Sequence, residues 1–185
     1  EFKFFSEYNF ARQTIPILSE EEVKQVIEAI PSLQPISQNA QLVKLIQIPK
    51  YLDFAQRAIK ITGKDFADTA ASDFIEILWD IIVKNTPSGN TGGLPVKREA
   101  SFISVAIERA QKMLAYAQAN NTDAEAMQKL VDDEILLRSG DGWFAPAHDV
   151  LEDWALVKFV NTCYLEKNDT VDFFAKLGAQ PAMRR

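Results

Sequence analysis

His148 is the only histidine in 185 residues, and Asp149 follows it directly. An imidazole is the side chain best suited to exchange a proton near neutral pH, so this pair is the first place to look for chemistry. As a catalytic base His148 needs a nucleophile and an orienting group within hydrogen-bond reach, which sequence alone does not show. A zinc site is disfavoured, because one histidine and one cysteine, Cys163, cannot furnish the usual nitrogen and sulfur ligands. The plainer reading is a helix-start histidine bonded to backbone, with Asp149 capping and solvating the same helix. Arg57, Arg98 and Arg109 are candidate phosphate sensors, and the sequence singles out none of them. Their plainer reading is a salt-bridged or solvated face. Pro49 stands where proline suits the first position of a helix. Residues 87–93 form a glycine-rich loop without the Gly-Lys-Ser/Thr ending of a phosphate loop, so they carry no nucleotide role. No catalytic residue and no metal ligand is expected.

The elements that must position His148 lie in residues 130–156. A helix ends near Val131, a short apolar run covers 135–137, and Gly140-Asp141-Gly142 supplies the positive φ of a tight hairpin. Trp143 to Ala145 forms the returning arm, predicted to pair with 135–138. Pro146, with no N–H to donate, is expected to end the pairing. A helix should start at Ala147 or His148 and run to about Tyr164, with Asp149 and Glu152 suiting the positive end of its dipole. Helix, two-stranded wing, helix is the second half of a winged-helix domain.

Elsewhere helical periodicity dominates. Residues 2–5 are an aromatic run suited to a strand. Ser19 and Glu22 have capping-box spacing and predict a helix over 20–29 with Val23, Val26 and Ile27 on one face. Pro31 and Pro35 mark a loop. Leu42, Leu45 and Ile46 share a face of a short helix, and a longer one from Pro49 carries Leu52, Ala55 and Ile59 until Gly63 ends it. Ser72 can cap a helix through Phe74, Leu78 and Ile82, with Trp79 in the core. Pro95 starts a helix along Phe102, Val105, Arg109 and Met113. Asp123 caps one through Met127, Leu130 and Val131. Trp154, Leu156 and Phe159 read as core, and Cys163 as a small buried apolar residue. A last amphipathic helix uses Val171, Phe174 and Leu177. The fold class is mainly α with one short β-hairpin: a helical unit over 1–65, a winged-helix domain over 66–165, and the start of a further helical region over 166–185. The boundary falls near residues 62–70.

A net charge of −6 opposes non-specific binding to nucleic acid or to an anionic membrane. The longest apolar run, residues 74–83, contains Glu76 and Asp80 and is too short to span a bilayer. A single cysteine allows no internal disulfide and fits a reducing compartment, hence an expected cytoplasmic location. A first residue that is Glu and an abrupt Arg184-Arg185 ending read as a segment of a longer protein.

His148-Asp149, placed after a wing and before Val-Leu-Glu-Asp-Trp-Ala, resembles the Met-His-Asp element of signal-transducing P-loop ATPases, the STAND group that includes NACHT and NB-ARC proteins and is related to AAA+ ATPases. Ile48-Pro49-Lys50-Tyr51-Leu52 is similar to the proline-containing lid motif of that group. Residues 17–22 resemble the link from the last core strand into the lid, and residues 180–185 the lead-in to the helical repeats that often follow. Ala147 stands in place of the methionine, and the lid motif lacks its glycine. The resemblance implies that residues 1–65 are the end of an ATPase core and its helical lid, that 66–165 are the winged-helix domain, and that 166–185 begin a repeat or sensor region. It implies that Pro49 packs by adenine, that His148 contacts the ADP β-phosphate and that Asp149 orients the turn. The parent protein would use ATP or ADP with Mg. The chain contains no Walker A or Walker B motif, so alone it is expected to hold no cofactor and to catalyse nothing. Its implied partners are the P-loop domain of the same chain and the downstream helical region.

Two other functions fit parts of the pattern. A DNA-binding winged-helix regulator would present residues 123–133 to phosphates, but Asp123, Glu125, Asp132 and Asp133 there face a single Lys129. A helical protein-interaction module would keep the fold and drop the roles of Pro49 and His148.

Overall fold

Ser19 and Glu22 close the capping box that their spacing predicts. The Glu22 amide donates to Ser19 Oγ at 3.2 Å, and the Ser19 amide donates to Glu22 Oε2 at 2.7 Å. Helix α1 (Glu20–Ala29) therefore starts as expected and buries Val23 and Ile27. The computed structural model describes residues 16–86, 93–118, 120, 122–140 and 142–178. The aromatic run at 2–5, the loop at 87–92, Asp141 of the wing tip and the closing segment 180–185 lie outside the described residues.

After α1 the chain does not loop freely. Pro31–Gln38 is a 3-10 segment, and its threefold repeat stacks Leu33 and Ile36 on one side, where both are fully buried. That burial holds a tight turn where two prolines suggested only a loop. Asn39 accepts from the Gln41 and Leu42 amides to start α2 (Ala40–Ile46). Its amide nitrogen donates to the Ala67 and Thr69 carbonyls, pinning the chain between later helices. Pro49 begins α3 (Pro49–Thr62), and Gly63, at φ 63°, ends it. The buried face of α3 is Tyr51, Phe54, Ala55 and Ala58, with Leu52 and Ile59 at its margin rather than at its centre.

Helix α4 (Ala71–Trp79) starts two residues earlier than a Ser72 cap requires, because the Phe74 amide bonds the Ala70 carbonyl at 2.9 Å. Ser72 lies inside the first turn. A π turn, Asp80–Lys84, follows and closes on Asn85 in the left-handed region. Arg98 of α5 (Leu94–Lys112) reaches back to it. The guanidinium is buried, and its Nε donates to the Val83 carbonyl at 2.7 Å while Nη1 meets Asp133 at 2.8 Å. It thus satisfies carbonyls left open at a helix end and ties them to the end of α6 (Ala124–Asp132), which Asp123 caps through the Ala126 amide. Met113 falls past the end of α5 and is exposed.

Strands β1 (Leu136–Ser139) and β2 (Trp143–Pro146) form the hairpin, β1 starting and ending one residue later than the expected 135–138 and β2 running one residue past the expected 143–145. Pro146 does not end the pairing: the Ala147 amide still donates to the Ile135 carbonyl at 2.9 Å. Opposite Leu136, Pro146 occupies a position whose nitrogen points away from β1, so its missing N–H costs the ladder nothing. Phe144 has the same orientation and pairs outward with Ala117, at 2.8 Å and 2.7 Å. Helices α7 (Asp149–Leu165) and α8 (Thr170–Leu177) complete the chain.

Among the described residues the protein is mainly helical with this one small antiparallel sheet. Buried side chains from Val23 of α1 to Ala155 of α7 make one contiguous cluster. Trp79 and Phe102 meet edge to face at 5.7 Å inside it. Tyr51 of α3 and Trp154 of α7 also meet edge to face, and Trp154 Nε1 donates to the Tyr51 hydroxyl at 3.0 Å. Cys163, Ala110 and Leu177 form a second small cluster flanked by Phe159 and Phe173. Of the apolar residues expected to line α8, Leu177 is buried while Val171 and Phe174 are exposed. No helix among the described residues is long and apolar enough to cross a membrane.

Candidate functional site

The turn from β2 into α7 delivers His148 to the flank of α3. It is the N-cap residue of α7, extended at φ −141° and ψ 127°, and its side chain makes no capping bond to the helix amides. Its ring stands edge-on to Phe54 of α3, with centroids 5.9 Å apart. Phe54 in turn packs on Trp154, and the Lys50 ammonium lies 4.8 Å from the Phe54 centroid. Residues 98 positions apart in sequence, Lys50 and His148, are thereby both brought against one aromatic ring.

Between α3 and the hairpin this arrangement leaves a cleft of about 680 Å³. Lys50, Asp53 and Arg57 line it from α3, Glu134 and Arg138 from the α6–β1 turn and β1, and His148 from the start of α7. Helical spacing explains the α3 wall: positions 50, 53 and 57 fall on one face. Lys50 is satisfied within that face by Asp53 at 2.8 Å. Arg57 and Arg138 have no carboxylate within ion-pair distance among the described residues, although Arg138 lies 6.0 Å from the Phe144 ring. The cleft is therefore locally cationic in an acidic chain.

That field acts on His148. Burial and then the positive charges of Lys50 and Arg57 lower its pKa from the ordinary value, against the opposing pull of Asp53 and Asp149. At neutral pH the imidazole is uncharged, with one nitrogen able to donate and the other to accept.

Pro49 is exposed at the first position of α3, beside Lys50 but outside the cleft lining. Asp149 is exposed on the first turn of α7 and likewise does not line the cleft. The three arginines separate cleanly. Arg57 faces the cleft, Arg98 is buried in the structural bridge described above, and Arg109 pairs with Glu152 of α7 at 2.8 Å. Burial raises the Glu152 pKa despite that partner, so the Arg109 pair fixes α5 against α7 more than it stabilises the fold. Arg138 and Glu134 were not among the residues that sequence spacing brought forward. Their signal was the wing itself, whose first strand must pass whatever surface the wing-end histidine faces.

No protein-family model matches the chain, and no curated protein matches it.

Proposed function

We propose that this chain is the lid and winged-helix segment of a STAND-type signalling ATPase, in which it helps a bound nucleotide choose between a closed and an open arrangement. The observation that carries the reading is the meeting of two distant motifs. His148, at the wing end, and Lys50, beside the lid-type proline Pro49, share one cationic cleft through Phe54. The residues fit the phosphate end of ATP or ADP: Lys50, Arg57, Arg138 and a neutral imidazole offer donors at the start of a helix, where anions are favoured. When bound, the nucleotide supplies a diphosphate whose charge is matched differently in the two arrangements. His148 donates to that phosphate in the closed arrangement and loses the contact in the open one. A ligand shifts such an equilibrium only by its differential affinity, and one charge-assisted bond of roughly 1.5–3 kcal/mol is enough for a tenfold change or more. Pro49, exposed and adjacent to Lys50, is the position for the adenine side, and Asp149 steadies the turn that carries His148.

The exposed surface of α6 carries Glu125, Lys129 and Asp132, which disfavours a DNA-facing role. The reading is tested in the coding sequence upstream of residue 1. A Gly-x-x-x-x-Gly-Lys-Ser/Thr motif roughly one core domain earlier, in a chain that binds ADP, supports it. An upstream sequence without such a motif removes it.

A further inference from the structure

The two guanidiniums that find no carboxylate among the described residues are the part of the cleft not accounted for by any motif. Arg57 and Arg138 come from different elements, α3 and β1, and line the same space as His148. Among the described residues that line the cleft, one carboxylate stands outside an ion pair, Glu134, since Asp53 is engaged by Lys50. Arginine presents a planar fork that matches phosphate oxygens bidentately. The start of the 17-residue α7 lies at the same corner, uncapped by His148 but with Asp149 and Glu152 in its first turn.

We propose that Arg57 and Arg138, together with His148, bind a diphosphate group in this cleft, and that the described chain holds such a group without any other domain. The inference rests on the placement of phosphate at His148 proposed above and adds the two residues that grip it. The diphosphate is that of a nucleoside diphosphate or of free pyrophosphate; both present the same oxygens. A monophosphate spans only part of the donor set and binds more weakly. Occupation also reports itself. The groups around the imidazole are Lys50, Asp53 and Arg57 from α3, Arg138 and Glu134 from the hairpin side, and Asp149 on its own helix. Adding a dianion to that set stabilises the protonated ring, so His148 titrates at higher pH when the cleft is filled.

The single histidine makes the test unambiguous. The His148 ring-proton signals of this chain are followed by NMR through a pH titration, with and without inorganic pyrophosphate, ADP, AMP or sulfate. The expected result is a saturable upward displacement of the titration by pyrophosphate and by ADP, with AMP and sulfate needing higher concentrations. Arg57→Gln and Arg138→Gln should each weaken pyrophosphate binding roughly tenfold, the loss expected for one charge-assisted contact, while Glu134→Gln strengthens it. Unchanged Trp154 and Phe54 ring signals in the variants show that the fold is kept. No saturable response to pyrophosphate, or an undiminished one in both arginine variants, overturns the proposal. A pyrophosphate response free of ADP preference supports the diphosphate site with free pyrophosphate as its source. The switch reading fails separately: pyrophosphate binding here, with no P-loop motif upstream, keeps this site and removes the ATPase.

Discussion

At Glu134 the backbone sits at φ 58°, the left-handed position that closes α6 while the Ile135 amide reaches back to the Leu130 carbonyl at 2.9 Å. Glycine is the usual occupant of that position, and a side chain there costs about 1 kcal/mol or more. Glu134→Gly should therefore raise unfolding stability by about 0.5–1 kcal/mol after the added freedom of the unfolded chain is subtracted, as measured by urea denaturation. Arg98 is the opposite case. Arg98→Leu removes the donors to the Val83 carbonyl and leaves Asp133 without its partner, a loss of about 3–4 kcal/mol. Asp133→Asn keeps an acceptor but leaves the buried guanidinium without its counter-charge, so it should cost about 3 kcal/mol as well. His148 sets a pH dependence. Its folded pKa lies below the ordinary value, so the unfolded chain binds the proton more readily. The stability it contributes is complete above pH 6.5 and falls away as pH drops from there towards the folded pKa. Denaturation midpoints of wild type and His148→Gln should converge in difference above that range and diverge below it. His148 stands out in the sequence because it is the only histidine and sits at a joint, whereas Asp149, singled out beside it, does not line the cleft. Arg57 could not be separated from Arg98 and Arg109, since all three lie on helices and only the packing of α5 decides which guanidinium is buried.

Among the elements, the decisive contact is that of α3 with α7. Trp154 Nε1 donates to the Tyr51 hydroxyl in a buried setting, so Tyr51→Phe leaves an indole N–H without its acceptor and should cost about 1–2 kcal/mol. Burial raises the Tyr51 pKa above 10.0, ahead of the lowering effect of the Trp154 bond. Above pH 10 the unfolded chain loses the phenolic proton first, so stability declines as pH rises from 10 towards the folded pKa. The Tyr51→Phe protein should lack that component of the alkaline decline, seen by thermal melts between pH 9 and 11. Local chemistry made most helices readable: Ser19, Asp123, Pro49 and Gly63 act at the positions their types predict. The errors have tertiary causes. Burial of Leu33 and Ile36 converts the Pro31–Pro35 stretch into a 3-10 segment. The outward-facing nitrogen of Pro146 lets the hairpin run on. The buried side of α3 is set by Trp154, a residue a hundred positions away that no local pattern reveals.

For the molecule as a whole, one contiguous core runs from α1 to α7. Such a core should melt as a unit, so far-ultraviolet and near-ultraviolet circular dichroism are expected to give one coincident transition. Two separated transitions would show that the helices before residue 62 and those after residue 70 hold together independently. The chain has no phosphate loop of its own, so this segment should not hydrolyse ATP, and its affinity for ADP should remain weak, about millimolar. Micromolar ADP affinity by calorimetry would mean that this segment grips far more of the nucleotide than its diphosphate. The central claim concerns His148 in a chain that also carries a P-loop core. Ligand binding to the folded state raises the melting temperature in proportion to occupancy and affinity, and the most direct measurement is that rise on adding ADP, in wild type and in His148→Ala. The account predicts equal melting temperatures without nucleotide and a smaller ADP-induced rise in His148→Ala; an equal rise in both proteins contradicts it.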